Sequence, residues 1–223
     1  MERHVYRSPD ELAGAAAGII ATEIEDNDEV LLGLAGGSTP RMMYQDLAAA
    51  PIDWSGVTAW MTDERWVGPD DSDSNQRMVR ESLGTSGHIR FLAPNTRLKY
   101  PTAAAARMTR AMRCLMNRRP NRAVTVLGLG DDGHTASLFP ATDALAVREE
   151  SFVANWVPQL DSWRLTASFD LLGASDVVVF LVSGAGKAAA IAEIAAGSDL
   201  PAARITARER VVWLLDEEAA ERL

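Results

Sequence analysis

One cysteine, Cys114, stands in the 223 residues, so no internal disulfide can form and a reducing cytoplasm is the simplest home. Its neighbours Met112 and Leu115 place it in the core of a helix rather than in a nucleophile's setting. Lysine is almost as scarce: Lys99 and Lys187 are the only two, and arginine supplies the remaining cations. That imbalance reads as genomic compositional bias, and it makes a lysine in the glycine-rich turn Gly184-Ala-Gly-Lys187 more conspicuous. No apolar run approaches membrane-spanning length, and the opening Met-Glu-Arg-His lacks the apolar segment of a secretory leader. Internal repeats, low-complexity stretches and linkers are also missing, which leads us to expect one domain over residues 1–223. Basic residues number 22 against 31 acidic, a net charge of −9. Such a chain is a poor match for nucleic acid or an anionic membrane, and an anionic substrate would need a locally positive pocket.

Several signatures are lacking as well. The Gly-Lys-Ser/Thr ending of a Walker loop and the three-glycine spacing of a dinucleotide fingerprint are absent, so nothing implies a nucleotide. Without Gly-x-Ser-x-Gly there is no nucleophile elbow. No histidine–carboxylate group has zinc spacing. We therefore expect no metal and no cofactor.

What is present is an alternation of apolar strands and amphipathic helices. Ser8-Pro-Asp-Glu11 starts a helix, with Ser8 as N-cap and Glu11 closing a capping box, and Leu12, Ala16, Ile19 and Ile20 form its apolar stripe. Strands are expected at 30–35, 57–61, 123–129, 152–156, 164–169, 176–182 and 210–215. Helices are expected from Thr39 to Leu47, near 75–83, and at 101–116, 187–196 and 217–222, with Thr135 to Leu138 able to begin another. Met108 and Met112 read as core filler. This pattern predicts an α/β fold with a mainly parallel sheet and helices on both faces.

Open α/β sheets hold ligands beyond the carboxyl ends of their strands, and four groups of residues fall there. The run Leu127-Gly-Leu-Gly-Asp-Asp-Gly-His-Thr-Ala-Ser-Leu-Phe-Pro140 follows a buried strand and presents His134, a residue type suited to general-base work. Asp132 lies two residues before it, placed to orient the ring. Gly36-Gly37-Ser38-Thr39 joins a strand to a helix N-terminus, where free N–H groups favour an anion; a plain tight turn with Thr39 as cap fits the same residues. Asp63-Glu64-Arg65 ends the 57–61 strand at the same edge of the sheet, an extended segment in which Asp63 and Arg65 share a face, as a structural ion pair or as substrate ligands. Arg164 and Lys187 pair a guanidinium fork with a point charge, which suits a phosphate dianion; each also fits a solvated surface cation. His4 and His88 belong to no motif and read as surface residues.

The 127–140 run resembles the signature of the 6-phosphogluconolactonase family, Leu-Gly-x-Gly-x-Asp-Gly-His-Thr-Ala-Ser-Leu-Phe-Pro, at every fixed position. Leu34-Ala-Gly-Gly-Ser-Thr-Pro40 resembles that family's phosphate loop, and Thr62-Asp-Glu-Arg-Trp-Val67 with Asp71-Ser-Asp-Ser-Asn75 its second block. Trp163-Arg-Leu-Thr166, Ser183-Gly-Ala-Gly-Lys187, Leu200-Pro201 and Trp213-Leu-Leu-Asp216 extend the likeness over most of the chain. The resemblance implies a single-domain, Rossmann-like cytoplasmic hydrolase of the oxidative pentose phosphate pathway. Its substrate would be a small phosphosugar lactone, with no nucleic acid and no membrane as partners. A transient contact with the upstream dehydrogenase stays open. It further implies His134, Asp132, Asp63 and Arg65 as catalytic residues, and Gly36, Gly37, Ser38, Thr39, Arg164 and Lys187 as substrate- and phosphate-binding residues. Two rivals share the scaffold. A non-catalytic phosphosugar-binding regulator usually carries an added DNA-binding domain, for which this chain has no spare length. Amino-sugar phosphate deaminases resemble Asp-Gly-His-Ile-Ala-Phe-Asn-Glu-Pro, with a ring-opening glutamate five residues after the histidine. Phe139 stands there in this chain, although Asp63 could still serve as a base.

Overall fold

The computed structural model describes residues 2–84, 89–118 and 120–223; His88 lies outside them. In chain order the elements are β1 (Glu2–Tyr6), α1 (Pro9–Glu25), β2 (Val30–Leu34), α2 (Ser38–Ala49), β3 (Val57–Met61), β4 (Asp63–Arg65), α3 (Asn75–Leu83) and β5 (Arg90–Leu92). There follow α4 (Pro101–Asn117), β6 (Arg122–Gly128), β7 (Phe152–Val157), β8 (Ser162–Ala167), α5 (Phe169–Gly173), β9 (Val177–Val182), α6 (Ala188–Ala195) and β10 (Arg210–Asp216). Seven strands pair in parallel in the order β1-β10-β9-β6-β2-β3-β5. The remaining three, β4-β8-β7, make a separate antiparallel sheet.

The unbroken apolar runs of the central strands follow from burial on both faces. On β9, Val177, Val179 and Leu181 pack with α1, α2 and α3, whereas Val178, Phe180 and Val182 pack with α4, α5, α6 and the small sheet. Successive strand residues point to opposite faces, so each layer takes every second side chain. The chain winds one way through β2, β3 and β5 and the other way through β6, β9, β10 and, from the N-terminus, β1. Neighbouring β2 and β6 therefore flank the point where strand order reverses, the position at which such sheets open a crevice.

Several expectations change. Residues 152–157 and 162–167 are strands of the small sheet, and Asp63–Arg65 is a strand there too rather than the tail of β3. The second helix starts at Ser38, not Thr39. Residues 135–138 form a tight turn closed by Leu138 N–H to Thr135 O, and Ala136 at φ 48° makes a helix impossible there. Residues 217–222 are turns, because Asp216 accepts the Ala219 N–H and folds the chain back. Cys114 is exposed: α4 buries Ala104, Ala105, Met108 and Met112, and residue 114 falls on the outer side of that stripe. β1 was not anticipated, since Glu2-Arg-His-Val-Tyr6 is an exposed edge strand with little apolar signal; His4 is exposed in it, as expected.

At the opposite end of the sheet from the crevice, Glu23 ties α1 to the starts of two strands. It accepts from Arg122 Nε at 2.6 Å and from Arg210 Nη2 at 3.0 Å, and its side chain is only 9% exposed. Burial alone would raise its pKa, but the two guanidiniums outweigh burial and hold the carboxyl below its ordinary value. A lowered folded pKa contributes stability above the unfolded value, and that stability disappears as pH falls through the folded one. Unfolding free energy is thus expected to drop from about pH 4.3 downward. Glu23→Gln should lose about 1–3 kcal/mol at neutral pH, because the half-exposed Arg210 loses this carboxylate and Arg122 keeps only Glu209, and should show a flatter acid limb. Urea titrations of both proteins across pH 3–7 would check this; parallel acid limbs would contradict it.

Candidate active site

The strand ends at the switch point carry turns that only particular residues allow. After β2, Gly37 takes φ 113° as N-cap of α2, with no side-chain cap on the helix. The first-turn N–H groups of α2 are therefore free for an anion. Gly36 leaves room for Asn75: a Cβ there would lie 2.0 Å from the Asn75 amide oxygen. After β6, Gly133 takes φ 78° and its N–H closes a turn on Gly130 O at 3.0 Å. A Cβ on Gly130 would lie 2.0 Å from His134 Nδ1, so this glycine makes space for the ring.

His134 is fixed on three sides. Its Nδ1 lies 2.5 Å from Asp132 Oδ1, its backbone N–H donates to the same oxygen at 3.1 Å, and its ring stacks on Phe139 with centroids 3.9 Å apart. Burial pushes the Asp132 pKa up, but the hydrogen bonds and charge of His134 outweigh it and hold the carboxyl below its usual range. A carboxylate at Nδ1 keeps the proton of a neutral ring on that nitrogen and leaves Nε2 as the basic atom.

Asp63, at the start of β4, is buried and accepts from Ser137 Oγ at 2.6 Å and from Asn75 Nδ2 at 3.3 Å. The left-handed backbone at Ala136 turns Ser137 inward to make that bond. Glu64 points the other way and is wholly buried. It accepts N–H bonds from Arg65 at 2.8 Å, Asn75 at 2.7 Å and Gln76 at 2.8 Å, with Ser74 Oγ at 3.3 Å. Burial raises its pKa despite those donors. Arg65 donates from Nη1 to Asp73 O at 2.9 Å. Directly across the strand pair stands Arg164, half-buried, with no hydrogen bond or ion pair to its guanidinium among the described residues. Burial and then the charge of Arg65 lower its pKa, against the pull of Asp63, Asp73 and Glu64. Two opposed cations repel each other across the strand pair and suit an incoming anion.

Lys187 ends a short turn after β9, and its ammonium meets Asp131. The turn is pinned by buried Asp216, which accepts from Ser183 Oγ at 2.6 Å and Gly184 N–H at 2.9 Å.

Gly36, Gly37, Asp63, Arg65, His134 and Lys187 line one crevice of about 240 Å³ at the carboxyl edge of the sheet, together with Asn75 and Ala136. Asp132 stands behind His134, and Ser38 and Thr39 lie in the first turn of α2. Arg164 is placed through Arg65 and is not part of the crevice wall. A second cavity, lined by Glu29, Arg90 and Arg118 at the other end of the strands, gathers no comparable set. Sequence reasoning did not single out Ser137, Asn75, Asp131 or Asp216 as site residues. Ser137 and Asn75 sat inside quoted motifs, and their signal was an uncharged polar residue with no helix or strand role. Among the described residues no three His, Cys, Asp or Glu side chains group to hold a metal ion, and no helix is long and apolar enough to cross a membrane.

Comparison with known proteins identifies the family of the chain. The family model described as glucosamine-6-phosphate isomerases/6-phosphogluconolactonase fits residues 7–213. A 6-phosphogluconolactonase of Nostoc sp. is 32% identical over 240 residues, covering 100% of this chain and 99% of that protein. One from Synechocystis sp. is 36% identical over 219 residues, covering 92% and 89%. The solved structure of 6-phosphogluconolactonase from Trypanosoma brucei superposes with a TM-score of 0.83 at 28% identity, covering 100% of this chain and 98% of the other. The chain belongs to the glucosamine-6-phosphate isomerase/6-phosphogluconolactonase family.

Proposed function

We propose that the crevice hydrolyses 6-phospho-D-glucono-1,5-lactone to 6-phosphogluconate, the second step of the oxidative pentose phosphate pathway, with His134 as general base. The family relatives are hydrolases of this kind, and the observation that carries the residue assignment is the Asp132–His134 pair aimed into a cation-bearing crevice. His134 Nε2 takes a proton from water as its oxygen bonds to the lactone carbonyl carbon. The carbonyl becomes an oxyanion, stabilised by Arg65 or by nearby backbone N–H groups. As the oxyanion collapses, the bond from C1 to the ring oxygen breaks, and the imidazolium returns its proton to that oxygen. Asp132 orients the ring throughout. Asp63, held by Ser137 and Asn75, receives sugar hydroxyls or the attacking water. The α2 N-terminus at Gly36-Gly37-Ser38-Thr39, Lys187 and Arg164 supply the phosphate end. One catalytic domain spanning 1–223, acting in the cytoplasm and in transient contact with the dehydrogenase that makes the lactone, completes the proposal.

Phe139 supports lactone opening over amino-sugar deamination. It lies flat against the imidazole where deaminases resemble a glutamate at that position, so no carboxylate from residue 139 can shuttle a proton to a sugar ring oxygen. A lactone is already electrophilic and needs one water-activating base. Purified protein is expected to hydrolyse the lactone above its spontaneous rate and to release no ammonia from glucosamine 6-phosphate. Ammonia release without lactone hydrolysis would reverse the assignment.

A further inference from the structure

Residue 131 is the variable position just before Asp132, and here it is a second aspartate. Its carboxylate is bonded to the Lys187 ammonium, across the gap between the turn after β6 and the turn after β9. The two partners are unlike in exposure: the Asp131 side chain is 72% exposed and that of Lys187 is 27% exposed on the crevice wall. The bare Cα of Gly186 faces the same carboxylate, whose oxygens would lie 3.5 Å and 3.6 Å from a Cβ placed there. Among the described residues Arg164 has no such partner, and Arg65 donates to a main-chain carbonyl. Of the three cations around the site, Lys187 alone has a carboxylate partner among the described residues.

We propose that Asp131 is an intramolecular competitor for Lys187, which loosens the hold of the site on the phosphate of substrate and product alike. This rests on the reading of Lys187 as a phosphate ligand. Any anion reaching the ammonium must compete for its charge with a carboxylate tethered beside it, present at high effective concentration. Substrate and product carry the same phosphate, so grip at that end binds both without lowering the barrier between them. An internal counter-ion limits that grip and favours product release. The pair is exposed on one side, so its worth is modest.

The test uses Asp131→Asn, Lys187→Met and the double variant, with inhibition constants for inorganic phosphate and 6-phosphogluconate and kcat for the lactone. In Asp131→Asn both inhibition constants are expected to fall by about two- to fivefold and by the same factor. In the Lys187→Met background the second substitution should change neither. Unchanged or weaker binding in Asp131→Asn, with Lys187→Met strongly impaired, would overturn the competitor and leave Lys187 as phosphate ligand. A gain that persists without Lys187 would mean a general charge effect and also overturn it. A fall in kcat with both constants unchanged would reassign Asp131 to positioning Asp132 and His134. Full phosphate affinity in Lys187→Met would remove the reading beneath the proposal.

Discussion

His134→Ala is expected to lower turnover by about 10²–10⁴-fold while the protein stays folded, the usual consequence of removing a general base. The ring is partly exposed and contributes to the core only through its stack on Phe139, so the loss should fall on kcat rather than on stability. Gly130→Ala reaches the same result by another route. Its new Cβ would overlap the imidazole, and the ring can relieve the overlap only by leaving Asp132. Both variants should therefore share a low kcat with nearly normal binding of 6-phosphogluconate. Activity of the parent should also fall on the acid side, because a base that has taken up its proton cannot accept one from water. Asp132 is held below the ordinary carboxylate range by its bonds to His134. Near-normal turnover in a folded His134→Ala protein would end the mechanism.

Lys187→Ala and Arg164→Ala should each weaken binding of phosphorylated ligands, by about 1.5–3 kcal/mol per lost charge-assisted contact, or about ten- to 150-fold. The two are expected to differ in stability. Removing Arg164 relieves a direct opposition with Arg65, so that variant should unfold no earlier than the parent. Removing Lys187 strands the Asp131 carboxylate at the mouth, where it repels the ligand as well as failing to hold it. Inhibition constants for 6-phosphogluconate and inorganic phosphate, with thermal melts, check both statements. Parent-like affinity in both variants would place the phosphate elsewhere.

The main sheet was legible because its strands are apolar on both faces and its helices carry stripes and caps, as at Ser8, whose hydroxyl accepts the Glu11 N–H. The crevice was legible because glycines cluster where backbone must turn sharply. What stayed hidden depends on contacts distant in sequence. Nothing local in Asp63-Glu64-Arg65 separates the tail of a parallel strand from a strand of a second sheet; only pairing with Leu165 and its neighbours decides it. The turn at Ala136 carries no glycine, so its left-handed backbone left no mark. Ser137 reaching Asp63 and Asp216 pinning Gly184 are links across 74 and 32 residues that no spacing rule encodes.

The buried Glu64 carboxylate has a kinetic consequence. The amides of Arg65, Asn75 and Gln76 all end on its two oxygens, joining the small sheet to the start of α3. Loss of that one side chain's bonds would free all three protons, so they are expected to share an opening event. Arg65 and Asn75, on different elements of the crevice wall, then exchange with deuterium as one unit. That shared amide clock reports when this wall comes apart, even under conditions where the rest of the sheet holds.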